Sequence, residues 1–153
     1  MDMTEIILRL GLAAGIGFAI GINRYAHHKY IGVRTLGLVA LTTAAIVSGA
    51  QSLMGMDAAS HVIQGVVTGI GFLGAGVIMR GGEDQKVHGL TTAATVWLAA
   101  VVGILCGLGA WAVTAALTVI AAIVLIAGGP AEKWLVRRLN KKGSDPLQKP
   151  PDA

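Results

Sequence analysis

Chemistry needs groups that can carry charge or give up electrons, and this chain has few of them. Its 153 residues include twelve Lys and Arg, eight Asp and Glu and four His, so that 13% are charged, against about 25% in an average soluble domain. The acids are Asp2, Glu5, Asp57, Glu83, Asp84, Glu132, Asp145 and Asp152. A magnesium path would want hard oxygen ligands along its length, because that ion sheds water reluctantly. None of the acids lies inside a long apolar run, which argues against a dedicated magnesium transporter. A pore built by several copies and lined by carbonyls or by Thr68, Thr91, Thr92 and Thr95 would escape that objection, although such threonines ordinarily bond carbonyls of their own or a neighbouring helix.

Catalysis has no better footing. There is no nucleophile at an interpretable spacing from a base, no acid pair in an apolar setting and no phosphate loop. His27 and His28 adjoin but lack a third ligand at a metal spacing, and Cys106 is alone, so no disulfide forms within the chain. Gly69-Ile70-Gly71-Phe72-Leu73-Gly74 spells the dinucleotide fingerprint, yet that motif works between a strand and a helix with an acid about 20 residues on. No acid occurs between Asp84 and Glu132. The chain is expected to be no enzyme and to hold neither metal nor cofactor.

These sparse groups are set in a chain that is 54% hydrophobic with 22 glycines, a composition that suits lipid better than water. Crossing about 30 Å of hydrocarbon takes roughly 20 apolar residues. Five runs approach that length: Glu5 to Ile22, Leu36 to Met54, Val62 to Met79, Thr91 to Gly107 and Ala110 to Ala127. The predicted fold is therefore all-α, a polytopic bundle of five transmembrane helices over residues 5–127 with a basic tail over 130–153. Asp2 and Glu5 ahead of the first run, with no small-residue cleavage site after it, read as a retained span rather than a cleaved leader.

Orientation follows from the basic residues. Arg24, Lys29 and Arg34 fall in the first loop, Arg80 and Lys86 in the third, and Lys133, Arg137, Arg138, Lys141, Lys142 and Lys149 in the tail. By the positive-inside rule the N-terminus is outside and the C-terminus cytoplasmic. Arg9 is the exception, roughly 6 Å into the first span at 1.5 Å per residue, where it is expected to snorkel outward or pair with Glu5 one turn earlier. The tail stretch from Lys133 to Leu139 is basic and amphipathic, suited to an anionic leaflet, and its prolines and polar residues from Gly143 onward suggest disorder. The basic balance reflects topology and lipid contact, and nothing points to nucleic acid.

Small-xxx-small spacing occurs at Gly11/Gly15, Gly17/Gly21, Gly65/Gly69 and Gly103/Gly107, where missing side chains let helix backbones approach. Packing within the chain or between copies, as a homo-oligomer, is expected from these pairs. Glycine is also simply commoner in membrane helices, so no single pair decides the matter.

Two ordered stretches go further. GIGFLGAGVI at Gly69 to Ile78 and GLTTAATVW at Gly89 to Trp97 resemble the membrane domain of the MgtC/SapB family of bacterial inner-membrane proteins. Gly21 to Arg24, the G-x-R-T of Gly32 to Thr35, Arg9, and Asp57 followed by Gln64 are similar too, so that the resemblance covers Glu5 to Ile126. It implies a five-span multi-pass protein of the inner membrane, a role in adaptation to magnesium limitation or acid stress and in virulence, and action on the F-type ATP synthase as one mechanism. Asn23 stands where the family usually has Glu, which weakens an ion-pair or cation role there. Well-known members also carry a soluble C-terminal domain to which nothing in this sequence corresponds, and functions depending on it are not carried over.

The third loop joins the two motifs, so their ends should meet on the cytoplasmic side. Asn23, Arg24, Arg34, Thr35, Gln64, Thr91 and Thr92 form the expected polar cluster, with Tyr25, His27, His28, Lys29 and Tyr30 as either a docking surface, an anionic headgroup site or an ordinary interfacial loop. Gly69, Gly71, Phe72, Gly74, Gly76 and Gly89 are expected to serve helix packing. Trp97, about two turns into its span, is expected in the core opposite the third-span glycines. The favoured function is regulatory, through binding to a membrane complex. The competing reading is a transporter or channel for a cation or small solute. A small multidrug exporter would want an intramembrane Glu that the spans lack.

Overall fold

The computed structural model describes residues 1–26, 32–79 and 89–143. Every element among them is a helix: α1 (Met3–Ala26), α2 (Val33–Met54), α3 (Met56–Met79), α4 (Leu90–Leu108) and α5 (Trp111–Gly143). All five are long and apolar enough to cross a membrane. Lipid offers no partner for a free backbone amide or carbonyl, so an apolar chain of this kind closes its hydrogen bonds inside helices.

The helices outrun the spans drawn from hydropathy, and the turns explain why. Gly55 ends α2 with φ 90 and returns its N–H to the Gln51 carbonyl, and α3 begins at the very next residue. A single glycine in the left-handed region makes the whole connection, so Asp57 and His61 belong to α3 rather than to a loop. Arg34 and Thr35 likewise sit in the first turn of α2, not ahead of it. α5 continues through the boundary expected at 127–130 and carries Pro130 inside the helix.

By compactness the chain divides at Thr118 and Val119. The first unit holds α1–α4, with α2 and α4 at its centre. Leu36, Ala40, Ala44 and Val47 of α2 are fully buried, as are Val96, Ala99, Val102 and Cys106 of α4 to within 2%. Lipid tails are as apolar as these side chains, so close packing rather than the hydrophobic effect holds the helices together. Glycine makes that packing possible. A methyl on Gly103 would lie 2.5 Å from the Ala40 carbonyl oxygen, and one on Gly107 would lie 2.9 Å from that of Ala44. On α1, methyls at Gly17 and Gly21 would each come to 2.6 Å, from the Leu36 oxygen and the Val33 Cα respectively. α2 is thus gripped on two sides by glycine faces, antiparallel to α1 and parallel to α4.

In the second unit, the helix from Val119 onward carries exposed Val119, Ile120, Ile123, Val124 and Ile126, followed by exposed Trp134, Leu135, Val136 and Leu139. Arg138 lies over the Trp134 ring, 4.5 Å from its centre, a cation–π contact suited to an interface with one wet side.

Candidate functional site

Two arginines of α1 are buried, one near each end of the helix, with exposures of 8% for Arg9 and 6% for Arg24. Both reach α4. Arg9 donates through Nη2 to Glu5 one turn earlier, and through Nη1 to the Gly107 carbonyl and, at 3.1 Å, to Gln51 Oε1 on α2. The expected Glu5 pair forms, and the side chain turns inward across the bundle instead of snorkelling out. It lies at the C-terminal end of α4, where unpaired carbonyls favour a cation, and beside Gly109, whose φ of 74 closes that helix. A methyl on Gly109 would fall 2.7 Å from the guanidinium. Gln51 and the Gly107 carbonyl were not singled out by sequence. An amide inside an otherwise apolar span was the one available sign of the first.

At the other end Arg24 Nη2 donates to Thr92 Oγ1 at 3.0 Å. Thr92 is 2% exposed, and its carbonyl accepts from Thr95 Oγ1 at 2.7 Å. The Arg24 Nε is buried and has no hydrogen-bond partner. The start of α4 is held close to α3 at this end: Gly89 has φ 90, and a methyl there would come to 2.9 Å from the Val77 carbonyl oxygen.

Of the expected polar cluster, the structure brings Arg24 and Thr92 together. Asn23 is half-buried beside them in sequence, while Arg34, Thr35 and Thr91 are exposed. Gln64 lies elsewhere. It is exposed on α3, about 20 Å of helix away from Ile78 at the end that approaches α4, because the helix runs unbroken between them. The loop residues His27, His28, Lys29 and Tyr30, and Arg80, Glu83, Asp84, Lys86 and His88, lie outside the described residues.

Residues 10–134 match the MgtC family over most of the chain. The chain belongs to the MgtC family. It is 43% identical over 120 residues to the protein MgtC of Salmonella typhimurium, covering 78% of this chain and 51% of that one. SrpB of Synechococcus elongatus is 39% identical over 122 residues, with 72% and 67% covered. MgtC of Brucella abortus is 44% identical over 94 residues, with 61% and 39% covered. The chain therefore spans about half the length of the Salmonella relative. No solved structure matches it.

Seen in the fold, the first stretch that resembles the MgtC family is an outward surface. Methyls placed on Gly65, Gly69, Gly71 or Gly76 would meet nothing within 4 Å, and Gly74 alone in the stretch approaches α4, at 3.8 Å from the Ala93 Cβ. Phe72 is 83% exposed. Trp97 is 44% exposed, so it does not fill the core opposite these glycines. The reason is its place on the helix: the buried face of α4 is made by Thr92, Thr95, Val96, Ala99, Val102, Gly103 and Cys106, and Trp97 falls outside it. The polar residues Asp57, His61, Gln64 and Thr68 recur at helical spacing on α3, and all are exposed. Thr68 Oγ1 bonds the Gln64 carbonyl at 2.9 Å and His61 Nδ1 meets the Asp57 carbonyl at 2.8 Å, so both turn back on their own helix. Asp57 is at the start of α3, where a carboxylate complements the helix dipole.

Proposed function

We propose that this protein is a bacterial inner-membrane regulator, which binds another membrane complex through the open face of α3 and modulates it during magnesium limitation or acid stress. The observation that carries the reading is the unfilled helix-packing surface. Gly65, Gly69 and Gly76 have open space where a side chain would stand, and only 11% of the most apolar stretch of α3 is buried, against 56% for α4. Glycine faces that lie open in this chain are what a second transmembrane helix needs for close approach. Gln64, exposed on the same helix about 12 Å from its start, adds an amide that hydrocarbon cannot satisfy and a partner helix can. Among the described residues no carboxylate lies in the interior of the spans of α1 to α4, which favours a binding role over cation passage. The F-type ATP synthase is the partner that the family resemblance implies.

The test is crosslinking and affinity capture of a tagged copy from native membranes under magnesium limitation. ATP synthase membrane subunits are expected with the wild type and lost in Gly65→Leu/Gly69→Leu, which fills the open face without touching the core. Arg34→Ala is expected to insert normally and abolish the stress phenotype. Capture of no specific partner, combined with cation flux into proteoliposomes of purified protein, would replace this reading with a transporter.

A further inference from the structure

The two buried arginines differ in what neutralises them. Arg9 has Glu5, and theirs is the one ion pair among the described residues. Among the described residues Arg24 has only a hydroxyl, Thr92 Oγ1, and no carboxylate; its Nε, like that of Arg9, is buried without a hydrogen-bond partner. A hydroxyl oxygen accepts a hydrogen bond but does not cancel a charge, and a buried cation without a counter-charge is costly.

The surroundings add to the imbalance. Thr92 belongs to the first turn of α4, a 19-residue helix with no acid in that turn and no side-chain cap on its N-terminus, Gly89. The amides of a helix N-terminus carry a partial positive charge and point away from the helix, which suits an anion. A guanidinium and an uncapped helix start therefore meet at one place, and both call for negative charge. Arg24 is the last residue of the first span and Leu90 the first of the fourth, which puts the pair at headgroup depth.

We propose that Arg24 and the first turn of α4 bind a phosphate-type oxyanion, held by the guanidinium and the helix N-terminus. Phosphate fits both groups, since its oxygens accept from the planar fork of arginine and from backbone amides together. The same chemistry is offered by a lipid headgroup phosphate at the end of the span and by free phosphate.

The experiment uses the full chain and reads its thermal unfolding midpoint by tryptophan fluorescence. One arm titrates inorganic phosphate into protein in detergent. The other compares nanodiscs of a phosphate-free galactolipid alone with nanodiscs containing phosphatidylglycerol. A rise of roughly 3 °C is expected in one arm, the size that about 1 kcal/mol of binding gives a chain of this length. The phosphate arm marks a free oxyanion and the phosphatidylglycerol arm a lipid. The rise should vanish in Arg24→Gln and survive in Arg137→Gln/Arg138→Gln, which removes tail charge only. If Arg24→Gln does not fold, Arg24→Lys keeps the charge but lacks Nε and the fork, and should show a smaller rise. No rise in either arm, or an equal rise in the Arg24 variants, overturns the proposal. So does a phosphate response confined to Glu83→Gln/Asp84→Asn, because the chain's own carboxylates would then be the counter-charge.

Discussion

α3 and α4 carry the same glycine spacing and put it to opposite use. Gly103 and Gly107 are pressed against the backbone of α2, whereas Gly65 and Gly69 face open space. The spacing marks where a helix can be approached closely; the neighbours decide whether anything approaches. Within this chain α4 spends its glycines on the core, whereas Gly65 and Gly69 of α3 lie outside it.

Substitutions should separate the two helices by sign as well as size. Gly103→Leu is the most damaging change expected, because its Cβ would stand 2.5 Å from the Ala40 carbonyl oxygen and 2.7 Å from the Thr43 Cβ, backbone and branch points that cannot swing aside. A loss of about 3 kcal/mol or more, seen as failure to recover folded protein in detergent, checks it. Gly107→Ala should cost less, about 1–3 kcal/mol, since the methyl meets Ala44 oxygen and Val47 Cβ at 2.9 Å; the unfolding midpoint reads the difference. Thr92→Val, which takes the acceptor from Arg24 without changing a glycine, should cost about 1.5 kcal/mol. Gly69→Ala is expected to be neutral or stabilising by up to about 0.5 kcal/mol, because alanine is the better helix former and has room. Equal destabilisation by Gly69→Ala and Gly107→Ala would erase the contrast between α3 and α4.

Hydropathy made the five spans and the all-α fold legible, because a helix facing lipid must be apolar along its whole crossing. It could not place the start of α3, since Asp57 and His61 look like loop residues until Gly55 is known to turn alone. The Arg9–Glu5 pair was readable from its one-turn spacing. Its other partners, Gln51 and the Gly107 carbonyl, are 42 and 98 residues away from Arg9, a distance that no local pattern reports. Arg24 and Thr92 were legible as members of one cluster, whereas Gln64 does not belong with them, a separation that the rise of one unbroken helix between Gln64 and Ile78 already implies. Trp97 was misread for a different reason: depth in a span says nothing about which face a residue occupies.

Arg9 and Arg24 stand about 22 Å apart along α1, and each fastens to α4, at Gly107 and at Thr92. Two fastenings so far apart behave like a pair of bolts through two rods. Sliding α1 along α4 by a single residue, or rotating it by one position, would break both connections together. Any piston-like sliding of α1 past α4 therefore has to give up the Arg9–Gly107 and Arg24–Thr92 hydrogen bonds together.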